Sequence, residues 1–360
     1  MVSLNEIFDQ QYYLNHNPDV ANAIASGQVG SALEHYVKFG QFEGRSPRSL
    51  FSDFYVFGDS FSDTGNVFAL TKGIFPDFPN YQGRFSNGKI WIETLAQQLS
   101  VSANPAYNFA VGGASAGTQN ILNFLDPNNP GKPVPISYDP LPGIQTTIDT
   151  FVAQTSSADP NALYVVWGAS NDYVGFASTD VETTVHNLET SINKLAAIGA
   201  KNFLVPNLFD LGKLPLAQQS SSDVKERLTK VSQEHNHSLS EALIGLEQSK
   251  KVNIINLDVS SLFDDIIAEP AKFGFSNVTD DFLTSGTTNP DPYLFWNIIH
   301  PTTLGHDLIA DEAAKAITSV PEVLEIVQAT RSVPEPEMSL LGYVLVFGLA
   351  VTVLRKLKYC

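Results

Sequence analysis

The stretch "FYVFGDSFSDTGN", residues 54–66, decides how the rest of the chain is read. Four mostly apolar residues, Phe54 to Phe57, run straight into Gly58-Asp59-Ser60, and a polar, Gly-containing segment follows. An apolar run of this length, bounded by turn residues, reads as a strand buried on both faces. Gly, Asp and Ser are ordinary turn formers, so one reading is a plain strand-to-loop transition. The other is that the strand is a rigid post presenting Ser60 as a nucleophile.

Working outward, residues 51 to about 330 alternate apolar runs with helical patterns. Strands are predicted at 53–58, 105–110, 162–168, 201–206 and 251–257, with "ALYVVWG" and "KNFLVPN" as typical members. Helical stretches are predicted at 88–100, 180–199 and 222–247. In the last, Val224, Leu228, Val231, Leu239, Leu243 and Leu246 share one stripe. Strand–helix alternation predicts a parallel sheet with helices on both faces. In such sheets the functional site lies at the carboxyl ends of the strands, where Ser60 stands.

Residues 1–48 form a separate unit, with aromatic and small apolar residues at helical spacing. Asn17-Pro18-Asp19 marks a helix start, and Gly27, Gly30 and Gly40 mark stops or turns. Two readings stand: a helical cap on the main domain, or a short module of the kind it resembles on secreted bacterial proteins. That module often accompanies calcium-binding repeats. None occur here, so calcium is not carried over. No basic region followed by an apolar run opens the chain, so no secretory signal peptide is read. Residues 333–360 differ again. Val333-Pro334-Glu335-Pro336 precedes an apolar span at 338–354 and the basic "RKLKYC". The span, about seventeen residues, is at the lower limit for crossing a bilayer. Linker, span and basic tail together resemble the PEP-CTERM sorting tag of bacterial surface proteins, which an exosortase normally removes.

Composition bounds the chemistry. Of 360 residues, 43% are apolar and 16% charged, enough for a sizeable core. The net charge of -17, with no offsetting basic block, disfavours nucleic acid and anionic membrane as partners of the main body. The single cysteine, Cys360, excludes an intramolecular disulfide framework and a Cys nucleophile within the fold. No EF-hand, His-Glu-x-x-His or phosphate-loop motif is present, and the seven histidines are scattered, so no metal cluster is signalled.

A serine hydroxyl needs a base to take its proton and donors to hold the developing oxyanion. Candidates follow other predicted strands. Asn108-Phe-Ala-Val-Gly112-Gly113-Ala-Ser offers backbone amides, Gly168-Ala-Ser-Asn171-Asp172 offers a carboxamide, and His300-Pro301-Thr302 offers an imidazole. Each piece alone is commonplace as a loop, a helix cap or a packed histidine.

Their order resembles the GDSL or SGNH hydrolase family over roughly residues 51–318. Its four blocks correspond here to "FGDSFSDTGN" with Ser60, "NFAVGGAS" with Gly113, "GASND" with Asn171 and "FWNIIHPT" with His300. "GRFSNGKIWIE" and "NLFDLGKLP" are similar to the family as well. The resemblance implies a three-layer α/β/α, flavodoxin-like fold. It also implies hydrolysis of carboxylic acyl esters or thioesters through an acyl-enzyme, without metal or organic cofactor. It assigns Ser60 as nucleophile and His300 as general base and acid. The Ser60 and Gly113 N–H groups and the Asn171 side chain would form the oxyanion hole.

One position departs from the pattern. The family usually carries Asp three residues before the histidine, and this chain carries Asn297. The Asn297 oxygen can accept the Nδ1–H but supplies no charge, and its N–H₂ could instead face the ring. Asp291, six residues earlier, is a possible substitute, and a backbone carbonyl is another. Three functions remain open: an ester hydrolase, an acyltransferase on the same scaffold, and a non-catalytic surface or matrix protein with a decayed core. Phe61, Phe85 and Trp296 beside the motifs are either an apolar acyl pocket or plain core. The tail predicts a cell-surface or secreted location with transient anchoring.

Overall fold

In the computed structural model, the FYVFG run is a strand, β1 (Phe54–Gly58), with all but Tyr55 buried. The structure describes residues 8–43, 45, 48–77, 79–99, 101, 107–124 and 139–319. The chain divides into two compact units, with the break between Ser49 and Leu50.

β1 pairs in parallel with β2 (Leu163–Trp167), β2 with β3 (Asn202–Pro206), and β3 with β4 (Asn253–Leu257). β2 is buried at every residue, as a central strand of β-branched and aromatic residues should be. β4 is exposed at Asn253 and Asn256 and lies at the sheet's edge.

Of the strand predicted at 105–110, residues 107–110 are described, and they run alongside β1. Residues 102–106 lie outside the described residues, and beyond them one parallel bridge joins Val56 to Asn108. The Phe109 and Val111 N–H groups donate to the carbonyls of Val56 (2.7 Å) and Gly58 (3.0 Å). This segment therefore occupies the fifth place in the sheet, on the far side of β1 from β2. Its Gly112-Gly113 turn ends the pairing early.

Helices Trp91–Gln98 and Thr303–Thr318 pack together as one layer. Ile144–Gln154, Val181–Ala197 and Ser222–Lys250 form the other. The expected stripe on Ser222–Lys250 is buried at Leu228, Val231, Leu239, Leu243 and Leu246, with Val224 partly buried. The result is the expected three-layer α/β/α fold around a parallel sheet.

A second, two-stranded sheet was not predicted. β5 (Asn277–Asp281) pairs with β6 (Tyr293–Phe295). Their sequences do not show a strand period: NVTDD is largely polar and YLF is only three residues long.

In the first unit, helices Gln10–His16, Pro18–Ala25 and Ala32–His35 enclose a small core of Tyr13, Val20, Ala32 and Tyr36. Pro18 stands at the helix start, where its missing N–H costs nothing. Among the described residues, no helix is long and apolar enough to cross a membrane. The C-terminal apolar helix and membrane span expected at 338–354, the rest of the 333–360 tail and residues 320–330 lie outside the described residues.

Candidate active site

Ser60 follows β1 directly, in a turn shaped by its neighbour. Asp59 Oδ1 accepts the Phe61 N–H at 3.0 Å, and the Asp59 carbonyl accepts the Ser62 N–H at 3.1 Å. Gly58, just before, has no room for a side chain, because a Cβ would stand 2.6 Å from the Trp167 carbonyl of β2. The strand end and the turn thus leave the Ser60 hydroxyl facing the loop that carries His300.

That loop is built by β6. After Phe295 the chain doubles back: the Trp296 N–H donates to the His300 carbonyl at 2.8 Å, and the Thr302 N–H donates to the Leu294 carbonyl at 2.8 Å. His300 is thereby held with its Nε2 2.7 Å from Ser60 Oγ, across 240 residues of sequence. The predicted pair is in hydrogen-bonding contact.

Asn297 takes the place expected for an Asp. Its Oδ1 lies 3.0 Å from His300 Nδ1 and also accepts the N–H groups of Ile299 (3.0 Å) and His300 (2.9 Å). Two backbone donors fix which end of the amide faces inward, because an N–H₂ group there would meet only other donors. The oxygen therefore faces the ring, Nδ1 carries the proton, and Nε2 is left as the acceptor of the Ser60 hydroxyl. Asp291 is exposed, and its backbone N–H bonds to Asn289. The contact on Nδ1 is made by Asn297, so the structure gives no part in it to Asp291.

The donors expected for an oxyanion lie on the same rim. The backbone N–H groups of Ser60 and Gly113 make no hydrogen bond among the described residues. Gly113 has φ +79°, and a Cβ would lie 2.6 Å from Asn120 Oδ1 and 2.7 Å from Leu122 Cγ. Both conformation and space demand glycine there. Asn171 is the second residue of the short helix Ser170–Val174 after β2. Both hydrogens of its Nδ2 are engaged, one with the Ala114 carbonyl at 3.0 Å and one with Asp59 Oδ2 at 3.3 Å.

Several residues that motif reading left without a role hold these parts together. Asp63 accepts from the N–H groups of Gly65, Asn66 and Val67, and from Gly112 at 2.8 Å. Asn66 Nδ2 donates to the carbonyls of Asn108 and Ala110, both at 2.8 Å. Asn108 Nδ2 donates back to the Ser62 carbonyl at 2.8 Å. The "DTGN" of the opening stretch is therefore a clamp on the glycine segment. "RFSNG" does the same for the histidine. Ser86 Oγ donates to the Pro301 carbonyl at 2.9 Å, Asn87 Oδ1 accepts the Thr303 N–H at 2.8 Å, and the Phe85 ring lies 5.1 Å from the imidazole. Phe61 approaches His300 from another side at 5.4 Å. Phe61, Phe85 and Trp296 are all buried.

Burial dominates the electrostatics. It holds His300 down at about 3 and His306, one turn into the next helix, at about 3 as well. Both rings are neutral at pH 7. The same burial pushes the carboxyls of Asp59 and Asp63 up to about 6 and that of Asp172 up to about 7. His300 is thus a neutral proton acceptor with no carboxylate at its back. Among the described residues, no group of three or more His, Cys, Asp or Glu is placed to hold a metal ion.

The family model for GDSL-like lipase/acylhydrolase matches residues 54–313. A phosphatidylcholine-sterol acyltransferase of Aeromonas hydrophila is 27% identical over 332 residues, covering 77% of this chain and 93% of the relative. A thermolabile hemolysin of Vibrio parahaemolyticus is 26% identical over 289 residues, 74% of this chain but 63% of its own length. Among solved structures, a lipolytic G-D-S-L protein of Veillonella parvula covers 74% of this chain and 99% of its own, at 16% identity and a TM-score of 0.41. The chain belongs to the GDSL-like lipase/acylhydrolase family.

Proposed function

We propose that this protein hydrolyses carboxylic acyl esters through an acyl-enzyme on Ser60. The observation that carries the reading is the 2.7 Å contact between Ser60 Oγ and His300 Nε2, with the Nδ1 proton held by Asn297. As Oγ attacks the acyl carbon, its proton passes to Nε2, and the former carbonyl oxygen gathers negative charge. The unpartnered N–H groups of Ser60 and Gly113, with Asn171 Nδ2, are the donors for that charge. His300 then returns the proton to the leaving alkoxide. In the second half a water molecule gives its proton to Nε2 and attacks the acyl carbon; the bond to Oγ then breaks as Nε2 passes that proton to Oγ, which releases the acid and restores the Ser60 hydroxyl and the neutral ring.

A fluorophosphonate probe, which needs an activated serine, tests this directly. It should label the parent protein and leave Ser60→Ala unlabelled, and p-nitrophenyl esters of graded chain length should be cleaved by the parent alone. A parent protein that neither takes the label nor turns over any ester would leave a non-catalytic surface role instead. A second reading, acyl transfer, is supported by the similarity to the Aeromonas acyltransferase. It differs only in what attacks the acyl-enzyme. An acceptor alcohol added to the ester assay should then yield new ester at the expense of free acid.

We also propose a cell-surface or secreted location, with exosortase removal of the tail. Support comes from the order of Val333-Pro334-Glu335-Pro336, apolar span and basic end in the sequence. Mature protein whose mass still includes residues 338–360, or protein confined to the cytoplasmic fraction, would overturn it.

A further inference from the structure

Asp59 is buried to 2% exposure, beside the nucleophile, in a site whose hydrolytic chemistry does not use it. Its two oxygens serve different strand ends. Oδ1 holds the Ser60 turn through the Phe61 N–H, at 3.0 Å. Oδ2 crosses to the end of β2, where it accepts Ser170 Oγ at 2.8 Å and Asn171 Nδ2 at 3.3 Å. Asp59 is therefore a bridge between the turn that carries the nucleophile and the carboxamide beside it. Both Asn171 hydrogens are committed in this state, and the bond to Asp59 is the longer of the two. An oxyanion forming beside Ser60 can draw on Asn171 only by taking over one of them.

We propose that Asp59 is a positioning residue that, as a carboxylate, holds Asn171 beside Ser60 and gives up one Asn171 N–H to the oxyanion during turnover. The exchange needs no net loss of bonding. Asp59 keeps the Phe61 and Ser170 donors while the N–H moves to a fully charged oxygen, where hydrogen bonds are stronger. Because the N–H reaches the oxyanion only as charge develops, the effect falls on turnover rather than on substrate binding.

Protonation should break the bridge, because a neutral carboxyl brings a donor into a position surrounded by donors. Burial pushes Asp59 up to about 6, so this loss falls within an accessible pH range, well above His300. The titratable groups that bear on it are Asp63 in its own loop and Asp172 in helix Ser170–Val174. The neutral His300 lies across Ser60. Asp63 raises Asp59, the Phe61 N–H and the Ser170 hydroxyl lower it, and Asp59 in turn raises Asp172.

The inference rests on the ester-hydrolase reading, and the test separates the two. On a p-nitrophenyl ester, kcat of the parent should fall as pH drops through about 6. Asp59→Asn should lower kcat about 10- to 100-fold at pH 8, leave KM within about twofold, and abolish that limb. Ser170→Ala removes one donor from the same carboxylate, so the limb should move to higher pH. Parent protein without label or turnover would sink the hydrolase reading itself. Labelled, active parent with wild-type kcat in Asp59→Asn, or with the acid limb unmoved in both variants, would overturn the role of Asp59. Should Asp59→Asn fail to fold, the position of the limb in Ser170→Ala decides alone.

Discussion

At the scale of single residues, the feature that sets this site apart is the amide behind His300. Nδ1 needs an acceptor to fix the tautomer, and Asn297 supplies one held in place by two backbone N–H groups. It supplies no charge, so the imidazolium formed as Ser60 loses its proton is stabilised less than by a carboxylate. In serine proteases the corresponding Asp-to-Asn change costs about 10⁴-fold in turnover, partly because the wrong tautomer forms. Here the tautomer is right, so only the electrostatic share is missing. Asn297→Asp should therefore raise turnover at pH 8 by about tenfold or more. It should also raise the His300 pKa, because a neighbouring anion favours the protonated ring. Nitrogen-15 NMR of the imidazole reads the second effect. A ring titrating as in the parent would mean that position 297 does not reach it electrostatically. The sequence showed the four residue types of the site and their order. It could not show which end of the Asn297 amide faces the ring, since that depends on the N–H groups of Ile299 and His300 and on a loop closed by β6.

Secondary-structure elements were legible in proportion to their length and periodicity. The stripe on Ser222–Lys250 and the double-sided burial of β2 follow from pattern alone. The segment from Asn108 has the residues of a strand and pairs with β1, and its path beyond is held by bonds from Asp63 and Asn66. Such side-chain clamps span tens to hundreds of residues and leave no local signal. The start of helix Thr303–Thr318 is an example. Thr302 at its N-cap makes no side-chain cap, and the Thr303 N–H is satisfied by Asn87, 216 residues earlier. Asn87→Ala should therefore cost about 0.5–2 kcal/mol, the usual range for a lost cap. It should also slow ester turnover, because the same helix start anchors His300 through Pro301 and Thr302. Chemical denaturation and initial rates together check this. Lost stability with unchanged turnover would show that the histidine loop is held without the cap.

For the whole molecule, the sheet brings two classes of buried ionisable groups together, and they respond to acid in opposite senses. His235, His300 and His306 are held near 3 by burial, below their ordinary 6.5. Their contribution to stability is complete above pH 6.5 and is lost as pH falls toward 3, because the unfolded chain takes up the protons first. Asp59, Asp63 and Asp172 are raised from 3.8 to between about 6 and about 7. In that window the folded chain takes up the protons first, so these three groups make the fold more stable as pH falls from 7 toward 4. Between about pH 4 and 6.5 the two classes oppose each other, and the melting temperature should vary little. Below 4 the carboxyl gain is exhausted and the histidine loss continues. Asp172→Asn isolates one term. The amide oxygen can still accept the Ala116 N–H that Asp172 Oδ2 takes at 2.9 Å, while the buried charge is gone. The variant should be more stable than the parent at pH 8. Its advantage should shrink by about 2–3 kcal/mol between pH 8 and pH 5, as the parent's own carboxyl becomes protonated. Denaturation at the two pH values measures the difference, and an advantage that stays constant with pH would mean that Asp172 titrates in the folded protein as it does in the unfolded chain.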